Sequence, residues 1–209
     1  MGARKLEKYL TRQFERRVAR ASLEREQKYR VPNIELMRKR LLKLGAQVRS
    51  TGFERNEMFD CGERLRNQGL KLRLRRHGGK ITMLTLKGPR LGGHHKTRME
   101  VETPVEYEPA KRILELLQFR VTEAYSKIRE EYRLEGCSVC LDHISCVGWW
   151  FVEIEGPAGK IRAIARSLRL APSDREPRSY RKLIKQAVAM NLHPLAGLND
   201  SSIHETVNC

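Results

Sequence analysis

The stretch 22-SLEREQKYRV-31, set between a basic N-terminal segment and Pro32-Asn33, has the length and boundaries of one β-strand. Side chains alternate faces along a strand, so Glu24, Glu26 and Lys28 share one face and Leu23, Arg25, Gln27 and Tyr29 the other. Neither face is the apolar stripe of a core strand. A strand that lines up two carboxylates and an ammonium needs a reason, and the rest of the chain supplies it by repetition.

In 70-LKLRLRR-76, Lys71, Arg73 and Arg75 oppose Leu70, Leu72 and Leu74; in 83-MLTLK-87, Thr85 and Lys87 oppose Leu84 and Leu86. In 98-RMEVE-102, Arg98, Glu100 and Glu102 oppose Met99 and Val101; in 127-KIR-129, Lys127 and Arg129 oppose Ile128; in 151-FVEIE-155, Glu153 and Glu155 oppose Val152 and Ile154. One apolar and one solvated face would account for any single strand. It does not account for polar faces that are almost uniformly charged, nor for the segregation of bases and acids onto different strands. A closed barrel does, if the charged faces line the lumen and the apolar faces lie outward beneath helices. Charges buried in such number need partners. A polyanion with divalent metals provides them: bases grip phosphate oxygens, and carboxylates hold hard cations that bridge those oxygens.

Element order agrees. Asn33 caps a helix, IELMRKRLLKL, that Gly45 ends. Strands are expected at 52–60, 69–76, 80–87, 96–103, 121–134, 138–144 and 149–155, with helices at about 108–118, from Pro157 to about Leu168, and in RSYRKLIKQAVAM after Pro177. About eight strands in hairpin order favour an antiparallel sheet or barrel over a parallel α/β sheet, an α+β fold with helices packed outside. Leu36, Leu41 and Leu44 of the first helix and Ile113, Leu114 and Leu117 of the second are its expected covering residues, while Arg25 and Gln27 suggest that the outer side of the first strand is partly open. Residues 1–21 are expected to form a basic helical extension, with Leu6, Leu10, Phe14 and Val18 at helical spacing, 22–191 the main domain, and 192–209 a flexible tail.

The chain of 209 residues carries a net charge of +17, which points to an anionic partner. No apolar run approaches the ~18 residues of a membrane span. Five cysteines without a secretory signal suggest free thiols in a reducing cytoplasm. Cys137 and Cys140 have zinc-like spacing but lack a second pair and face opposite ways on a strand. The loop 88-GPRLGGHHKT-97 has the glycine spacing of a phosphate loop, yet His94 stands where lysine is required and the loop joins two strands. Trp149, Trp150 and Tyr180 are packing residues or substrate neighbours on the sequence alone.

Glu24-x-Glu26-x-Lys28 resembles the ExExK signature of the CYTH superfamily, the triphosphate tunnel metalloenzymes. The further landmarks follow in order: LRLR at 72–75, TLKGP at 85–89, RMEVE at 98–102, KIREEYRLEG at 127–136, LDHISCVGWWFVEIEG at 141–156 and SYRKLI at 179–184. The resemblance runs from about Leu23 to Met190, and its flavour is that of bacterial class IV adenylate cyclase-like and thiamine triphosphatase-like proteins. It implies an eight-stranded antiparallel β-barrel with a triphosphate along the axis and Mg²⁺ or Mn²⁺ as cofactor. By motif, Glu24, Glu26, Glu153 and Glu155 hold metal, with Glu100 and Glu102 as additional or water-mediated ligands. Lys28, Arg73, Arg75, Lys87, Arg98, Lys127 and Arg129 hold phosphates, with Lys71 a weaker match. Lys28 and Asp142 are the implied catalytic residues, Asp142 orienting a base or a metal-bound water.

Two reactions fit such a tunnel: hydrolysis of a nucleoside, thiamine or inorganic triphosphate, and cyclisation of ATP to cyclic AMP and pyrophosphate. Hydrolysis is the leading expectation because it is the commoner chemistry of the superfamily. A non-catalytic polyphosphate- or RNA-binding module is the alternative of another class, although RNA binding alone gives no reason for four clustered carboxylates. No specific nucleic acid is expected as partner, and a homodimer is left open.

Overall fold

The computed structural model describes residues 22–79, 81–91 and 96–192. The helical extension expected over 1–21, His94 and His95, and the tail beyond residue 192 lie outside them. The eight strands are β1 (Ser22–Val31), β2 (Gln47–Asp60), β3 (Lys71–His77), β4 (Ile81–Leu91), β5 (Lys96–Pro104), β6 (Arg120–Leu134), β7 (Cys137–Ile144) and β8 (Trp149–Glu155). Five α-helices join or follow them: α1 (Ile34–Lys43), α2 (Arg64–Asn67), α3 (Tyr107–Leu116), α4 (Ala158–Ser167) and α5 (Tyr180–Leu192).

The strands close into a barrel in the order β1-β5-β4-β3-β2-β6-β7-β8. β1 completes the circle: Leu23 faces Met99 of β5 on one edge, and Tyr29 faces Val152 of β8 on the other, both antiparallel. Because side chains alternate, this register sends the charged row of each strand to one side of the wall. Lys28 lies beside Glu153, Lys87 beside Glu100, and Arg129 beside Asp142. The charged rows face inward, as the sequence pattern requires of a lumen-lining strand.

The apolar rows face outward and are covered in two patches. α1 and α4 set Met37, Leu41, Ile161, Ile164 and Leu168 over Val31, Leu134, Val139, Leu141, Val152 and Ile154, burying all of them. α3 sets Ala110 and Leu114 against Phe59 and Leu74. Both helices use a face rotated from the expected one. α1 buries Ile34, Met37 and Leu41, and Leu36 and Leu44 are exposed; α3 buries Ala110 and Leu114, and Ile113 and Leu117 are exposed. Spacings of three and four select one stripe, and that stripe includes a small alanine in preference to larger residues off it.

The outer side of β1 is divided. Leu23 stays 51% exposed, but Gln27 and Tyr29 are buried, contrary to the open side expected at Gln27. A 3₁₀ turn at Pro172–Asp174 brings Arg175 into a bridge with Tyr29. The Gln27 amide oxygen accepts from Arg175 Nε at 2.7 Å and its nitrogen donates to the Tyr29 hydroxyl at 2.8 Å. A polar outer residue is thus satisfied by chain more than a hundred positions away, which no local pattern reveals.

β2 begins earlier and β4 ends later than expected. β4 runs past Gly88 and Pro89 through a bulge between Lys87 and Arg90, so part of the glycine-rich segment is strand. The four-residue α2 was not foreseen. It is organised by Asp60, whose carboxylate accepts from the backbone N–H groups of Cys61, Leu65 and Arg66. None of the described helices is long and apolar enough to cross a membrane.

Candidate active site

All eight strands contribute a side chain to one cavity of about 300 Å³. Six carboxylates line it: Glu24 and Glu26 from β1, Glu100 and Glu102 from β5, and Glu153 and Glu155 from β8. These three strands are adjacent in the barrel, so the acids form one side. The bases come from Lys28 of β1, Lys71, Arg73 and Arg75 of β3, Lys87 of β4, and Lys127 and Arg129 of β6, joined by Arg181 at the start of α5. Met58, Tyr125, Cys140, Ser179 and Tyr180 complete the lining.

Acids and bases meet across this boundary. Lys87 Nζ lies 2.7 Å from Glu24 and 2.9 Å from Glu100; Arg75 donates to Glu102 at 2.9 Å, and Arg129 to Glu153 at 2.8 Å. Lys96 pairs with Glu26 at 2.9 Å. Thr85, fully buried, donates its hydroxyl to Glu102.

The carboxylates are in mutual conflict. Burial, then the neighbouring Glu24, Glu100 and Glu153, push the Glu155 carboxyl up to about 7. Burial also raises Glu24, only partly offset by Lys87; in the Glu24–Glu100 pair Glu24 is pushed up and Glu100 held down. At Glu26 burial pulls upward but Lys96 outweighs it, so its carboxyl is lowered. Crowded carboxylates of this kind are relieved by a divalent cation. The donor set is all hard oxygen, the chemistry that suits Mg²⁺ or Mn²⁺. Glu24, Glu26, Glu153 and Glu155, with Glu100 and Glu102 beside them, fit that group. Among the described residues, no three acidic, histidine or cysteine side chains already converge on one coordination point; Glu24, Glu26, Glu100, Glu102 and Glu153 are turned to basic partners instead.

Behind the lining, two buried carboxylates face the bases. Asp142 on β7 is completely buried and does not reach the cavity. It accepts from Lys127 at 3.1 Å, from Arg129 Nε at 2.7 Å and Nη2 at 2.6 Å, and from the Tyr180 hydroxyl at 2.7 Å. Its carboxylate thus ties Lys127 and Arg129 to the start of α5. Glu54 on β2 is 1% exposed and lies 3.3 Å from Lys127, 3.8 Å from Arg75 and 4.0 Å from Arg129.

Lys28 stands over the Tyr180 ring, 3.8 Å from its centroid, and burial lowers its ammonium to about 8. Lys71 is likewise lowered to about 8 by burial, with the nearby bases Arg98 and Arg181 adding to the effect. Tyr180, buried against Phe151 and Leu183, lines the cavity from the start of α5.

Of the residues implied by motif, all six glutamates and Lys28, Arg73, Arg75, Lys87, Lys127 and Arg129 line the one cavity. Arg98 shares their strand face but does not line it; its guanidinium donates to the Gly88 carbonyl at 3.0 Å. Lys71, the weaker match, is a lining residue, and Lys96, Glu54 and Tyr180 add contacts that motif reading did not assign. The signal for Glu54 was present in the alternation of 52-GFERNEMFD-60, which puts Glu54, Asn56 and Met58 on one face. Cys137 and Cys140 do face opposite sides, the first under α4 and the second into the lumen.

The model of the CYTH domain family matches residues 22–180. A Methanocaldococcus jannaschii protein named provisionally as an adenylate cyclase is 30% identical over 135 residues, covering 64% of this chain and 76% of that protein. A Pyrococcus horikoshii protein structure overlays with a TM-score of 0.66 at 26% identity, covering 77% of this chain and 99% of that one. A Vibrio parahaemolyticus structure, also named provisionally as an adenylate cyclase, gives 0.70 at 24% identity, covering 79% and 99%. A Hippeastrum protein first named an adenylyl cyclase and described as having dominant triphosphatase activity gives 0.57 at 16%, covering 78% and 95%; it shares the fold alone.

Proposed function

The chain belongs to the CYTH domain family, and on that premise we propose that it is a divalent-metal-dependent triphosphatase whose substrate lies in the barrel. The observation that carries this reading is the lining itself: six carboxylates on one side of a single lumen and a larger set of bases on the other. A triphosphate is the small anion whose charge and length answer such a set, because phosphoryl transfer depends on positioning and charge stabilisation more than on covalent chemistry.

In this proposal Arg73, Arg75, Lys87, Lys127, Arg129 and Lys28 bind phosphate oxygens, with Lys71 and Arg181 beside them. Asp142 holds Lys127 and Arg129 in their working rotamers. Glu24, Glu26, Glu153 and Glu155 hold Mg²⁺ or Mn²⁺, which when bound neutralises phosphate charge and activates water. Substrate entry exchanges the internal ion pairs: Lys87 leaves Glu24 and Glu100 for phosphate, which frees carboxylates that would hold the cation. Arg98 takes part through the Gly88 carbonyl rather than through direct phosphate contact.

Hydrolysis is favoured over cyclisation by the shortage of exposed aromatic surface in the lining. Tyr180 is capped by Lys28 and buried, leaving Tyr125 as the one other aromatic among the described lining residues. The adenylate cyclase name of the Methanocaldococcus relative keeps cyclisation as the second reading. We place the protein in the cytoplasm, to be checked by cell fractionation. One incubation series decides the reaction: ATP, inorganic tripolyphosphate and thiamine triphosphate, each with Mg²⁺ or Mn²⁺. Orthophosphate from any of them supports the triphosphatase, and cyclic AMP with pyrophosphate selects the cyclase. No product, with binding that survives loss of all four metal carboxylates, would leave a non-catalytic polyphosphate- or RNA-binding module.

A further inference from the structure

Glu54 has no part in the metal or phosphate roles above, yet it is the carboxylate most deeply enclosed by bases. Lys127, Arg75 and Arg129 stand within 4.0 Å of it, and Asn56 Nδ2 donates to its Oε1 at 3.0 Å. Burial works against its charge, but those cations hold the carboxyl well below the usual carboxylate range. It is therefore an anion at every pH at which the protein would act.

Glu54 is not what fixes those bases in place, because each has a second carboxylate. Lys127 is held by Asp142 at 3.1 Å, Arg129 by Asp142 at 2.6 Å and by Glu153 at 2.8 Å, and Arg75 by Glu102 at 2.9 Å. Glu54 also does not line the cavity. It is on the lumen face of β2, buried beneath the base row. What it contributes is charge: one fixed negative unit that offsets the pull of three cations on any anion arriving from the other side.

We propose that Glu54 is a built-in counter-anion that limits how tightly the base row holds phosphate, so that product leaves. This deepens, and rests on, the assignment of the lumen as a triphosphate site. A row of buried cations without an opposing charge would bind substrate and product alike, and tight binding of both lowers turnover. With Glu54 present, the grip is sufficient in the triphosphate complex and weaker for the shorter product. A residue needed only for packing or for orienting the bases would give the reverse result on removal, weaker binding.

The test is isothermal titration of the full chain with inorganic tripolyphosphate and with orthophosphate, without metal, and steady-state kinetics with it. Glu54→Gln keeps shape and removes charge. It should bind both anions about tenfold tighter, the scale of one charge removed at short range inside a protein, with KM and kcat both falling and product inhibition rising. Glu54→Asp should stay near wild type. Unchanged or weaker binding by folded Glu54→Gln overturns the proposal. If Glu54→Gln does not fold, Asn56→Asp adds a second anion at the same place and should weaken binding; unchanged or tighter binding there overturns it equally. Wild-type protein that binds no tripolyphosphate at all would overturn the triphosphate assignment instead, so the two failures are distinguishable.

Discussion

Replacing Asp142 with asparagine tests the framework behind the lumen. The residue has no exposed surface and accepts four hydrogen bonds, from Lys127, twice from Arg129 and from Tyr180. Asparagine keeps the shape but offers one acceptor oxygen, and its NH₂ group must then face a donor of Arg129 or Lys127. Removing one partner of a buried charged cluster costs about 3–5 kcal/mol. The lower end applies here, because Glu54 at 3.3 Å still faces Lys127 and Glu153 at 2.8 Å still faces Arg129. About 3 kcal/mol corresponds to a fall in melting temperature of roughly 6–12 °C for a domain of this size. Tyr180→Phe removes only one of the four bonds and should cost about 1 kcal/mol. Urea titrations of the three proteins give both values directly. If Asp142→Asn loses less than about 1 kcal/mol, or less than Tyr180→Phe, the carboxylate is not the anchor of Lys127 and Arg129, and their placement has another cause.

Four further outcomes can be measured. Glu26→Ala and Glu155→Ala should fold normally by circular dichroism and lower triphosphate turnover at least ~10²-fold; near wild-type rates in folded variants would remove them from the metal set. Because Lys28 and Lys71 both titrate at about 8, kcat/KM should fall as pH rises through that value and phosphate-gripping charge is lost; the double variant Lys28→Arg/Lys71→Arg should move that limb to higher pH, and an unmoved limb would exclude both lysines. Glu176, against which burial acts, is nonetheless brought to about 2 by Arg178 and Arg30. A lowered carboxyl stabilises the fold above its ordinary value, and that contribution disappears as pH falls toward 2. Allowing for the solvent around both arginines, about 2 kcal/mol should vanish between pH ~5 and ~2, and Glu176→Gln should flatten that part of the stability curve. Gly156 has φ +155°, and a Cβ there would meet Cys137 Sγ at 2.5 Å; Gly156→Ala should lose about 2 kcal/mol in urea denaturation, and an unchanged midpoint would show that the contact relaxes freely.

The barrel and the lumen were legible because one signal carries both. Strict alternation in 70-LKLRLRR-76 and 98-RMEVE-102 tells which residues share a face, and the charge of that face tells that it lines something. Every glutamate read as a metal ligand lines the one cavity. What alternation cannot show is depth along the barrel. Arg98 is on the correct face of β5 yet turns to the Gly88 carbonyl, and Asp142 is on the correct face of β7 yet sits behind Arg129. Helix faces were misjudged where large side chains were preferred to spacing, as at Ile113 and Ala110. Gln27 was read as an open outer residue because its partner, Arg175, arrives from distant chain.

The position of β1 in the circle has a consequence for how the chain assembles. Its two neighbours are β5 and β8, so the strand made first pairs last along one of its edges, with Tyr29 waiting for Val152. Contacts this distant in sequence slow folding, and an unpaired strand edge is where chains associate wrongly. During that wait β1 presents Glu24, Glu26 and Lys28 on one face rather than an apolar run. The same charges that give the closed barrel its lumen keep the open one from adhering to another copy, so neutral replacements in this strand should show their first effect in the yield of soluble protein.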